Sequence, residues 1–202
     1  MKALFTFAVL IFLAGGTSAG AKEPGWPCIQ RKVPTLTAGA FWNGPPVEPS
    51  ANWRDDPDVA RLVSEVVSRR LTVEEAEKRI AEFAKAHPEK KQAKLALVFV
   101  GAFNEINTLR SDIMRGIDRF MKNQQAKSDQ LQKARRDLEA LAAKPDKSEE
   151  DQRRLGELQV TVLWLQRIYD DREGSLTYIC ETPVLLEQRL FAISRAIQAQ
   201  LG

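Results

Sequence analysis

The chain has 202 residues, of which 30 are basic and 27 acidic, with one histidine and two cysteines. Charge this balanced argues against a nucleic-acid binder, whose footprint is a concentrated basic stripe. The single histidine, His87, leaves a histidine-rich metal centre or a Ser-His-Asp arrangement nothing to be built from, and the sequence holds no C-x-x-C-H and no glycine-rich phosphate loop.

Residues 1–21, MKALFTFAVLIFLAGGTSAGA, carry one lysine, an apolar run from Ala3 to Ala14 and then small residues, the order of a secretory signal with cleavage expected after Ala21. The apolar run is shorter than the roughly 20 residues of a membrane-spanning helix, so no stable span is expected once the signal is removed. Cys28 does not directly follow that run, which disfavours a lipid anchor. Loss of Lys2 leaves a charge of about +2, and the expected location is the periplasm or the secreted space.

Seven of the ten prolines and three of the four tryptophans fall between Lys22 and Pro57. Proline lacks the amide donor and clashes one turn back, so residues 22–57 are predicted to form an extended Pro/Trp-rich arm. Asp56 before Pro57 is an N-cap with proline at the first helical position, and Val59, Leu62, Val63 and Val66 recur at helical spacing, predicting a first helix to about Arg70. Thr72 and Glu75 form a capping box for a second helix ending near His87.

A third helix is predicted from Pro88 to the breaker at Pro145, with apolar residues at 4-3 spacing and one extra four-residue step at Ile113 to Ile117. After a second capping box at Ser148 and Asp151, a fourth helix carries a seam of Leu155, Leu158, Val162, Leu165, Tyr169, Leu176 and Ile179. It folds back along the third, facing residues having numbers that add to about 296. Beyond Thr182-Pro183, where a proline kink is expected, the same register pairs Leu190 with Ile106 and Ile197 with Phe99.

The predicted fold is therefore all-α. The helical domain, 58–202, comprises a bundle head of residues 58–116 and 180–202 and a projecting antiparallel coiled-coil hairpin of residues 117–179, about 36 Å from Ile117 to Leu141.

Two cysteines in an exported chain predict a disulfide, Cys28 to Cys180, stapling the arm to the neck between head and hairpin. Cys180 is level with Gly116, which has no side chain to keep another backbone away. In the chain-entropy model a loop of this length contributes about 4 to 5 kcal/mol.

Chemistry-bearing constellations are few. Paired carboxylates such as Asp55 and Asp56 point about 100° apart on a helix and do not converge on one ion, and the DDPD run at 55–58 lacks the spacing of a calcium loop. Met114 and Met121 sit at ordinary core spacing. No catalytic residue, metal or cofactor is expected.

Two stretches depart from a plain helical hairpin. Gln124 and Lys127 occupy seam positions, which weaken pairing, set register and mark a point of flexibility. Val160, Leu163 and Trp164 lie off the seam and form a candidate interaction patch. Either the arm covers them, since Phe41 and Trp42 have the reach, or the patch serves a homodimer or another protein.

The leading expectation is an interaction protein without enzymatic activity: a scaffold, adaptor or holdase-like chaperone. In outline the arrangement resembles the tentacled periplasmic chaperones, in architecture and not in any motif. The alternative is a small-ligand or glycan binder in which Trp26, Trp42 and Trp53 stack on sugar rings; against it, these tryptophans and Phe41 are candidates for pinning the arm to the helices.

Overall fold

Prolines and caps cut the chain where the helices begin. The computed structural model describes residues 23–48 and 50–202, and the expected signal segment, 1–21, lies outside the described residues. The chain is an all-α helical bundle, with five α-helices among the described residues: α1 (Pro57–Val67), α2 (Val73–Ala86), α3 (Lys91–Ala142), α4 (Glu149–Gly174) and α5 (Leu176–Ala199). Asp56 caps α1, its carboxylate accepting from the amides of Asp58 and Val59. Reciprocal capping boxes open α2 at Thr72 with Glu75 and α4 at Ser148 with Asp151.

α1 and α2 pack with the N-terminal half of α3 and with α5 around a core that includes Val59, Val63, Ile80, Leu95, Phe99, Ile106, Leu190 and Ile197. α4 packs on α3 and, at its end, on α5. The antiparallel register of α3 and α4 is visible in Gln124 against Tyr169 and Arg172, Arg135 against Gln166, and Lys144 against Asp151.

Several boundaries depart from the sequence reading. α1 ends at Val67, not Arg70, because Arg189 reaches in from α5 and donates to the carbonyls of Val66 and Leu71, each at 2.9 Å, holding the chain in a turn after Ser68. α3 is preceded by a 3-10 turn at Pro88–Lys90. The break before α5 falls at Ser175, and Pro183 is buried inside the helix. Proline leaves the carbonyl four residues back, Ile179, without its helical donor. At the adjoining carbonyl, Cys180, Gln30 of the arm supplies a donor at 2.5 Å.

Among the described residues ahead of α1 there are only two three-residue 3-10 turns, at Ala38–Ala40 and Trp53–Asp55. A chain with no ladder of its own must satisfy its backbone elsewhere. Side chains of α3 and α5 do this: Arg110 donates to Val33 O (2.6 Å), Ser111 to Pro34 O (3.1 Å) and Gln198 to Phe41 O (3.1 Å), while the Leu36 amide donates to Asn107 (3.0 Å). Cys28 and Cys180 are disulfide-bonded, with Cα atoms 5.4 Å apart. Around them Trp26, Met114 and Ile117 form a small second core with Ile179 packed against it.

Gly116 does not have the predicted role. A Cβ there would meet nothing closer than Arg119 at 3.9 Å. Within α3 the glycine that permits close approach is Gly101, where a Cβ would fall 2.6 Å from Val63 and 2.8 Å from the Trp53 ring.

Candidate functional site

The outward face of α4 is one place where large apolar side chains meet water. Its inward residues, Leu155, Leu158, Val162, Leu165, Tyr169 and Arg172, are half-buried against α3. Midway along, Gln124 is buried and its amide is used at both ends: Nε2 donates to Tyr169 O at 3.0 Å and Oε1 accepts from Arg172 at 3.0 Å. The Arg172 guanidinium also lies over the Phe120 ring, 4.5 Å from its centroid. The expected point of flexibility is thus a satisfied polar pair fixing the register, and Lys127 donates to Gln130 along its own helix.

On the opposite face Val160, Leu163 and Trp164 are 57 %, 71 % and 63 % exposed. The α4 stripe running through them, Arg153, Glu157, Val160, Trp164, Arg167 and Asp171, is exposed throughout. Within the chain Arg153 pairs with Glu150 (2.5 Å) and Glu157 (3.2 Å), and Arg167 with Asp171 at a looser 3.9 Å. The stripe is held in place by the α4 cap, where Lys144 and the Ser148 backbone and side chain lower the Asp151 carboxyl to about 2.

The arm does not lie on this patch. Phe41 packs toward Phe103, with ring centroids 6.5 Å apart, and Trp42 is buried, stacked on Phe99 at 4.3 Å with Nε1 donating to Pro45 O. The side chains of Asn107 and Gln198 hold the arm against α3 and α5, although its reach along α4 is sufficient. Trp53 is buried over Gly101 with the Arg54 guanidinium over its ring, and Trp26 is buried beside the disulfide, its Nε1 donating to Gln30 O. No face of these three tryptophans is open to a sugar ring.

Elsewhere, Asp56 and Asp58 share Lys94 at 2.7 and 3.7 Å, and His87 sits between Phe83 O (2.9 Å) and Asp58 (3.4 Å). Hydrogen bonding to Lys94 holds the Asp56 carboxyl, and to His87 the Asp58 carboxyl, below the usual carboxylate range. The DDPD run thus works as a helix cap already matched to side-chain donors. Among the described residues no group of three or more His, Cys, Asp or Glu side chains is placed to hold a metal ion. A shallow cleft beside the disulfide is lined by Cys180, Val184 and Leu185, with Ile29 fully exposed at its rim.

Sequence reasoning missed Arg110 and Arg189. Arg110 is buried on α3, bridging Glu187 (2.6 Å) and the arm; Arg189, also buried, turns the chain after α1, and burial lowers its pKa. Neither stands out locally, since arginines are frequent throughout the helices.

Among the described residues no helix is long and apolar enough to cross a membrane. No protein-family model matches the chain, and neither a curated protein nor a solved structure shows significant similarity to it.

Proposed function

We propose that this chain is an exported helical protein, periplasmic or secreted, that acts by binding protein through the outer face of α4, as a scaffold, adaptor or holdase-like chaperone. The observation that carries the reading is the joint exposure of Val160, Leu163 and Trp164 while the chain's other three tryptophans are buried. An isolated apolar residue on a surface is ordinary; a contiguous large set on one helix face marks a contact site. The signal-like N-terminal sequence and the Cys28–Cys180 disulfide both favour an oxidising compartment. The reading assigns the chain no catalytic step and no cofactor.

The test is a photo-crosslinking amino acid at Leu163 of the exported full chain, irradiated in cells. Protein adducts that disappear when Trp164→Asp is added support the reading. Absence of any protein adduct, from protein recovered folded, overturns it.

A further inference from the structure

We propose that the partner of the α4 face is a second copy of this chain, with the two α4 helices packed antiparallel about Val162. The proposal rests on the reading of α4 as a contact face and names its occupant.

The argument lies in the order of residues along the exposed stripe. Arg153, Glu157, Val160, Trp164, Arg167 and Asp171 follow one another in alternating steps of four and three, so they form one continuous edge of the helix. In an antiparallel pair, facing residues have numbers adding to a constant; centred on Val162 that constant is about 324. Val160 of one copy then meets Trp164 of the other, Glu157 meets Arg167, and Arg153 meets Asp171. Twofold symmetry repeats each contact, so apolar lies on apolar at the middle and opposite charges meet on both sides.

Alternative arrangements of the same two helices fail on charge. A parallel pair sets Glu157 against Glu157, Arg167 against Arg167 and Asp171 against Asp171. An antiparallel register slipped by one heptad sets Val160 against Asp171 or against Glu157. Only the register centred on Val162 matches the stripe to itself.

That register also fits the element boundaries. Val162 lies at the middle of α4 (Glu149–Gly174), so the helices overlap along their full length, about 39 Å, with opposed dipoles. Leu163 of each copy comes beside the twofold axis, near its counterpart. The turn at Lys144–Lys147 of one copy reaches the level of Tyr178 on the other, which is 75 % exposed.

Sedimentation velocity of the full mature chain over a concentration series tests this. The expected result is a reversible dimer, lost in Trp164→Asp with helicity by circular dichroism unchanged. Glu157→Arg and Arg167→Glu singly should each weaken dimerisation about tenfold or more. Glu157→Arg with Arg167→Glu should restore it, even though the double reversal creates like-charge neighbours along each chain's own helix, with Arg153 and with Asp171. A monomer at every concentration, a dimer indifferent to Trp164→Asp, or charge reversals without mutual rescue would overturn the proposal. Leu163 adducts to a different protein from a chain that stays monomeric would overturn the self-pairing and leave the contact-face reading standing; no adducts at all would remove both.

Discussion

Substituting alanine at two glycines of α3 separates close packing from helix propensity. Gly101 and Gly116 both lie inside α3, where alanine gains about 1 kcal/mol over glycine by restricting the unfolded chain. At Gly116 the added methyl meets only Arg119 at 3.9 Å, so the gain is realised. For a domain of this size that corresponds to a melting temperature about 2 to 4 °C higher. At Gly101 the same methyl falls 2.6 Å from Val63 and 2.8 Å from Trp53, both buried. Overpacking costs about 1 to 3 kcal/mol, and with two groups obstructed, one of them an indole, the upper part of that range applies. Gly101→Ala should therefore lose about 1 to 2 kcal/mol net and melt about 2 to 8 °C lower. Scanning calorimetry of both variants at one pH reads the difference, and amide exchange over residues 50–56 should rise in Gly101→Ala alone. Equal stabilisation in the two variants would refute the docking of Trp53 against the α3 backbone.

Replacing both Cys28 and Cys180 with alanine should lower stability in urea by up to about 5 kcal/mol, the chain-entropy value for a loop of 152 residues, and raise amide exchange over residues 23–36; an unchanged urea midpoint would contradict the staple. Gln124→Leu should cost about 1 to 3 kcal/mol by depriving Arg172 and the Tyr169 carbonyl of partners, whereas Gln125→Leu on the exposed face should change little by the same urea titration. Because the Asp151 carboxyl is lowered from 3.8 to about 2 in the fold, its stabilising effect is present above pH 3.8 and lost as pH falls through about 2. The difference in α4 helicity between the natural chain and Asp151→Asn should accordingly be constant well above pH 3.8, shrink as pH falls toward 2 and vanish only below it by circular dichroism.

Local chemistry made part of this molecule legible in advance. Asp56-Pro57, Thr72-x-x-Glu75 and Ser148-x-x-Asp151 each carry a complete capping device within four residues, and they place the starts of α1, α2 and α4. The register of α3 against α4 could be read because the turn near residue 148 fixes which positions of the two apolar seams face each other, and Gln124 beside Arg172 lies on it. The end of α1 was not legible, since it is set by Arg189 from more than a hundred residues away. Nor was the use of Gly101 rather than Gly116, because a glycine shows its purpose only through what approaches it. At the candidate site, spacing alone placed Val160, Leu163 and Trp164 outside the seam. Their exposure depended on where the arm goes, and that path is drawn by Asn107, Arg110 and Gln198, polar side chains with no local pattern to single them out.

The arm's dependence on both α3 and α5 bears on the order in which the molecule can assemble. Its carbonyls are received by Arg110 and Ser111 on one helix and Gln198 on the other, and Cys28 joins a residue 152 positions later. As a chain emerges N-terminus first, α1, α2 and the start of α3 can begin to pack locally, while the segment made before them has no completed surface on which to settle. The earliest described residues therefore come to rest last, after α5 has folded back beside α3. Until then Cys28 must remain unpaired or be held by another thiol. The interval is lengthened by the non-local contacts that close it, since loop closure must precede the contacts that reward it. Loss of α5 would thus strip the arm of its final anchor and leave the start of the protein as exposed as the end is missing.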